Sequence, residues 1–184
     1  MLKIFEEAVN SDFKGTIIDI ETIGNFSHSF LQSDSRYYSK ILPVIFGFIT
    51  KKGLKIFYVE KKKDIRYLIK NIITILPSLK KPFHAFNSDF EKGVIFHACG
   101  IRIPITRELN SEKFERKAKA VSLLGIDNYD DPFFDDGYKC MKAWEKGNIE
   151  LTVKHNRSCL LKEKDILMKR GFRTPDEFIL VSNS

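Results

Sequence analysis

Apolar positions along the chain change their spacing repeatedly, and each change marks a new kind of element. Gly15 to Glu21, Ile41 to Thr50 and Leu54 to Glu60 are runs rich in Ile, Val and Phe, and they predict three strands. Lys51-Lys52-Gly53 joins the last two with a tight-turn signal, so those two form a hairpin. The polar stretch Gly24 to Lys40 reads as a loop over one sheet edge. From Asp64 the spacing becomes helical: Ile65, Ile69, Ile72, Ile73 and Leu76 make one stripe, closed by Pro77. Pro82 to Asn87 is a short buried strand, after which Ser88 or Asp89 caps a helix to about Ala98 with Gly100 as its stop. Ile101 to Ile105 reads as a weak strand or an extended segment. Asn110 precedes a helix to Leu124, ended by Gly125. An acidic loop, Asp127 to Asp136, then leads to a short helix around Tyr138 to Glu145 and a long one from about Glu150 to Arg170. The order β-β-β-α-β-α-(β)-α-α-α predicts an α/β domain, a mixed sheet with an antiparallel hairpin on one side and helices on its faces.

The first strand ends on Asp19-Ile20-Glu21-Thr22. Side chains alternate along a strand, so Asp19 and Glu21 share a face. Two carboxylates that close repel unless a cation lies between them, which points to a divalent-metal site. Further on, Asn87-Ser88-Asp89-Phe90-Glu91 puts an Asn and two acids at the start of a helix. Read alone, Asp89 or Ser88 is a cap and Glu91 complements the helix dipole. In the last helix, steps of four put Leu151, His155, Cys159 and Glu163 on one face.

Bulk properties narrow the class of partner. A chain of 184 residues fits one domain, residues 1–184, with a sizeable core. Its 31 basic against 24 acidic side chains give a formal charge of +7, which favours either a polyanionic partner or a solvated basic surface. Cys99, Cys140 and Cys159 lie far apart without a CxxC pair, which argues against a zinc knuckle or a disulfide framework and fits a reducing cytosol. No apolar stretch approaches ~20 residues and no signal-peptide pattern opens the chain, so the expectation is a cytoplasmic protein with no membrane partner.

Taken together, an Asp-x-Glu on the first strand, an Asn-x-x-Phe-acid after a central strand and a His-Asn pair in the last helix resemble the DEDD 3′–5′ exonucleases of the ribonuclease H-like superfamily. The likeness is closest to the prokaryotic predicted ribonuclease H-like (YprB-type) branch and runs from Thr16 to about Gly171. It implies a ribonuclease H-like fold and a nuclease acting on single-stranded DNA or RNA. It also implies two Mg²⁺ or Mn²⁺ ions, with Asp19 bridging both and Glu21 and Glu91 completing their shells. His155 would be the general base. The family spacing puts the second-motif acid at Glu91, with Asp89 the substitute if that spacing slips. The family's final Asp falls at Cys159 or Leu160 here, leaving Glu163, one turn on, as the replacement; Asp165, roughly 240° around the helix from Cys159, points elsewhere. That departure keeps a second expectation open, a catalytically impaired module that binds nucleic acid or protein. Phe26, Phe30, Tyr37 and Tyr38 are candidates for base stacking. Lys61-Lys62-Lys63, Lys80-Lys81 and Arg116-Lys117-Ala118-Lys119 are candidates for backbone contacts.

Overall fold

The acid-bearing apolar run folds as a nine-residue strand, Thr16–Gly24, in the computed structural model, which describes residues 1–182. It is the second strand of the chain. A strand that the apolar pattern did not reveal, β1 (Lys3–Glu7), precedes it. β1 has one neighbour and carries Lys3, Glu6 and Glu7, as edge strands commonly do, so it lacks an apolar run to announce it. With β2 (Thr16–Gly24), β3 (Ile41–Thr50), β4 (Gly53–Tyr58), β5 (Phe83–Ala85) and β6 (Ile105–Glu108), it forms one six-stranded sheet in the order β1-β4-β3-β2-β5-β6. β1, β4, β3 and β2 pair antiparallel, whereas β5 and β6 run parallel to β2. The expected mixed sheet with its hairpin is therefore present, in an arrangement consistent with a ribonuclease H-like layout.

Among the described residues, five α-helices flank the sheet. α1 (Ile65–Ile75) and α2 (Ser88–Cys99) pack on each other and on β3. α4 (Gly137–Glu145) and α5 (Ile149–Arg170) form the other layer, with α5 crossing β2, β3 and β4. The short α3 (Lys117–Leu123) packs on α5. On α1 the buried stripe is Ile65, Leu68, Ile72 and Leu76; Ile73, expected in it, is 41% exposed. The core is continuous from Ile17, Ile45 and Ile56 of the sheet to Leu160 and Ile166 of α5, each such side chain contributing about 1.5–3 kcal/mol.

Three further expectations are corrected. Gly24 to Lys40 does not cover a sheet edge, because β2 and β3 are interior strands. The segment turns through a short 3₁₀ helix, Ser35–Tyr38, and packs on α2, where Gly93 leaves room for the Tyr38 ring (a Cβ on Gly93 would meet it at 2.3 Å). Residue 87, not 88 or 89, is the cap position of α2. Ser88 instead donates its backbone N–H (3.1 Å) and hydroxyl (3.0 Å) to Glu108 Oε1, so β6 supplies the carboxylate for that helix end. The helix expected from Asn110 is only α3: Phe114 has φ 67°, and Glu115 turns to accept Arg170 of α5 at 2.8 and 2.9 Å.

One close approach fixes how α5 lies on the sheet. Gly47 of β3 pairs with Asp19 of β2, and Asn156 of α5 descends onto it: a Cβ on Gly47 would lie 2.1 Å from Asn156 Oδ1. Gly47→Ala should therefore destabilise the fold by about 2–3 kcal/mol through overpacking. Adding Asn156→Ala should recover part of that loss, a non-additivity that urea denaturation of the two single variants and the double variant measures.

Candidate functional site

Asp19 and Glu21 lie on the face of β2 that α5 covers, and both are buried. Asn156 Nδ2 donates to Asp19 Oδ2 (2.7 Å) and to the Asp19 carbonyl (3.3 Å), and reaches Glu21 Oε1 at 3.5 Å. A neutral donor thus sits between two acids that would otherwise repel. Burial, reinforced by the charge of Asp19, raises the Glu21 carboxyl to about 7, although His155, Lys117 and Asn156 pull the other way.

A cation of the chain itself also enters the cluster. Lys117, at the start of α3, is 3.0 Å from Asp19 Oδ1 and 2.5 Å from Glu163 Oε1. Burial opposes its charge, but Asp19, Cys159 and Glu163 outweigh burial and hold the ammonium well above its ordinary value. Lys117, from the basic run proposed for backbone contacts, instead points inward: only 14% of its side chain is exposed. Glu91 is 4% exposed and Glu163 1%. Glu91 Oε2 and both Glu163 oxygens are buried without a hydrogen-bond partner among the described residues, and Glu163 meets Lys117 as an ion pair only. Burial raises the carboxyl of Glu91 far above the usual range, and Asp19 and Glu163 raise it further; Glu163 is raised by burial and by Asp19. Four acids from β2, α2 and α5 therefore converge, and two of them hold orphaned oxygens.

The two candidates for the second-motif acid separate cleanly. Glu91 feels Asp19 and Glu163, whereas Asp89, raised to about 6 by burial, feels Lys113 (3.8 Å away) and Lys92. Asp165 bonds to Tyr129, away from the cluster as expected. Asp19, Glu21 and Glu91 do not bring ligand atoms within 4.8 Å of one another; among the described residues, Glu21–His155–Cys159 and Asp131–Asp135–Cys159 do. Asn156 lies between Asp19 and Glu21, and Lys117 between Asp19 and Glu163.

His155 has a partner that the sequence did not suggest. Its Nδ1 lies 2.7 Å from Asp131 Oδ1, in the acidic loop, and its Nε2 is 3.7 Å from both Cys159 Sγ and Glu21 Oε1. Burial disfavours the imidazolium, but Cys159, Glu21 and Asp131 together hold it well above the ordinary histidine value. Asp131 also accepts Lys162 Nζ (2.8 Å) and the backbone N–H groups of Phe133 and Asp135, both at 2.9 Å. Lys162 is wholly buried and makes its second bond, 2.9 Å, to Asp135. Burial raises the Cys159 thiol to about 11, against the pull of His155 and Lys117.

Of the stacking candidates, Tyr37 and Tyr38 are buried and belong to the core. Phe26 stacks on Tyr37 (centroids 4.8 Å apart) and remains 39% exposed, and Arg36 lies over the Phe30 ring at 4.4 Å. A surface cavity of ≈ 960 Å³ is lined by Phe13, Phe48, Thr50, Ile75 and Lys80, among others, and contains none of the clustered acids. No helix among the described residues is long and apolar enough to cross a membrane.

Asn156, Lys117, Asp131 and Lys162 are the site residues that sequence reasoning missed. The His155-Asn156 pair was the available signal for the first; Lys117 falls in a basic run that suits backbone contacts, and nothing in the spacing singles out Asp131 or Lys162. No protein-family model, curated protein or solved structure matches the chain.

Proposed function

We propose that the chain is a metal-dependent nuclease that hydrolyses phosphodiesters in single-stranded DNA or RNA, as a 3′–5′ exonuclease working in the reducing cytoplasm. The observation that carries this reading is the convergence of Asp19, Glu21, Glu91 and Glu163, with Glu91 Oε2 and Glu163 Oε2 buried without a hydrogen-bond partner among the described residues. Hard oxygen donors of this kind suit Mg²⁺ or Mn²⁺. Such ions, held by Asp19, Glu21, Glu91 and Glu163, would lower the pKa of an attacking water and stabilise the leaving 3′ oxygen.

The chain's own groups do the rest. Asn156 fixes the carboxylates of Asp19 and Glu21 relative to each other. Asp131 orients the His155 ring so that Nε2 faces the acids, where it takes the proton of the attacking water once it has given up its own. The exposed Phe26 face and the lysines around α3 suit a single strand, through stacking and phosphate contact.

A second reading is favoured by Lys117. An ammonium already pairs with Asp19 and Glu163, so a chain that keeps it there would bind nucleic acid or a protein without turnover.

The test incubates end-labelled single-stranded DNA and RNA with the protein in Mn²⁺, Mg²⁺ or chelator, alongside Asp19→Asn and a circular single strand. Expected is shortening from the 3′ end with either metal and none with chelator. The circle should resist, and Asp19→Asn should lose about 100-fold or more, equivalent to ~2.7 kcal/mol of transition-state stabilisation. A folded protein inert with both metals would leave the binding module as the better reading. Degradation that survives in Asp19→Asn would remove this site from the chemistry.

A further inference from the structure

Three donors of mixed chemistry meet where the strand acids touch α5. Glu21 Oε1, His155 Nε2 and Cys159 Sγ have ligand atoms within 4.8 Å of one another, with the nitrogen 3.7 Å from both the oxygen and the sulfur. Ligands at the usual zinc distances, about 2.0–2.3 Å, are separated by roughly 3.4–3.6 Å along the edges of a tetrahedron. The nitrogen therefore lies within a few tenths of an ångström of tetrahedral spacing from each of the other two donors, and the oxygen and sulfur are within 4.8 Å of each other.

The surroundings are those that such a ligand set needs. A carboxylate is an acceptor only, so Asp131 fixes the proton of His155 on Nδ1 and leaves Nε2 free to ligate. A histidine held through its other nitrogen by a carboxylate is the usual support of a zinc ligand. His155 and Cys159 are four residues apart on α5, so one helix turn presents both. The side chain of Glu21 retains 10% exposure and supplies an opening. The neighbouring group, Asp131–Asp135–Cys159, is already filled by the Lys162 ammonium.

We propose that Glu21, His155 and Cys159 form a site for one borderline transition-metal ion of the Zn²⁺ class, with a fourth position open. Thiolate and imidazole donors select zinc, cobalt or cadmium and discriminate against magnesium. Binding one ion releases the Cys159 thiol proton and the Nε2 proton of His155, leaving a neutral assembly of Zn²⁺, one carboxylate, one thiolate and one imidazole. The site shares Glu21 and His155 with the proposed nuclease centre, and an ion on Nε2 would keep His155 from acting as the base there; it does not rest on that reading, and its test contains no nucleic acid.

The full chain, stripped with chelator and checked for fold by circular dichroism, is titrated with Co²⁺. A near-ultraviolet thiolate-to-cobalt absorption and the intense visible bands of a four-coordinate ion should saturate at one equivalent. Zn²⁺ should erase both, and Mg²⁺ in large excess should not. Cys159→Ser should remove the near-ultraviolet band, and Glu21→Gln should weaken Co²⁺ binding about tenfold or more. Cys99→Ser and Cys140→Ser should leave the band intact; Cys140 is the telling control, because it too lies near Glu21. A folded wild-type protein without the band overturns the proposal whatever the variants do. So does a band that survives Cys159→Ser, or one that Cys140→Ser abolishes.

Discussion

Lys162→Met should cost about 3–5 kcal/mol of folding free energy and lower the melting temperature by roughly 10 °C, one of the largest effects available to a single side chain here. Methionine fills nearly the same volume, so packing changes little. What is lost is the cation that Asp131 and Asp135 share in a fully buried setting. Both carboxylates then stay out of water with one partner fewer. Burial alone would raise the Asp131 carboxyl, but His155 and Lys162 hold it well below the usual range. A group lowered in this way supports the fold above its unfolded pKa, about 4. That support is lost as pH falls through the folded value. The wild type should therefore keep its support from Asp131 into strong acid, and Lys162→Met should begin to lose it at a higher pH. Urea denaturation of both proteins across the acid range measures the two effects together. A variant as stable as the wild type at neutral pH would mean that the Asp131–Lys162–Asp135 group contributes nothing net.

Saturating Mn²⁺ should stabilise the protein by about 2.7 kcal/mol at a hundredfold excess over Kd, an increase of roughly 5–10 °C in melting temperature. The sign follows from the acids. Glu21 is raised from 4.5 to about 7, and Glu91 and Glu163 are raised well above their ordinary value, burial being the first cause in each. A raised carboxyl supports the fold fully below its unfolded pKa and loses that support as pH rises through the folded value. For Glu21 the window runs from 4.5 to about 7. The metal-free protein should weaken across that interval. Mn²⁺ must compete with protons at acid pH, so its stabilisation should be larger at pH 8 than at pH 6. Glu163→Gln should shrink it. Calorimetry with metal or chelator at the two pH values gives the answer; equal shifts at both would disconnect the ion from these carboxylates.

Part of this architecture could be read directly from residue spacing. Asp19 and Glu21 were legible because a strand alternates, and His155, Cys159 and Glu163 because a helix repeats every turn; all five are buried at one place. Leu151 has the same spacing yet is 40% exposed. Spacing is blind to tertiary partners. Lys117, Asp131 and Lys162 look like ordinary surface charges until segments far apart in the chain meet: 98 residues separate Lys117 from Asp19, and 31 separate Lys162 from Asp131. β1 escaped for a related reason, because an edge strand need not be apolar. The helix expected from Asn110 failed because Glu115 is used by Arg170 in a tertiary ion pair.

The two helix residues that hold the first strands in position, Asn156 and Arg157, reach back 137 residues to Asp19 and 150 to Glu7. Contacts that close such long loops are costly to form early in folding. α5 follows every other element in chain order. During synthesis the acids of β2 must therefore wait as hydrated charges until α5 has emerged. The hydrophobic sheet can form first, and the charged centre is sealed from water as a late event.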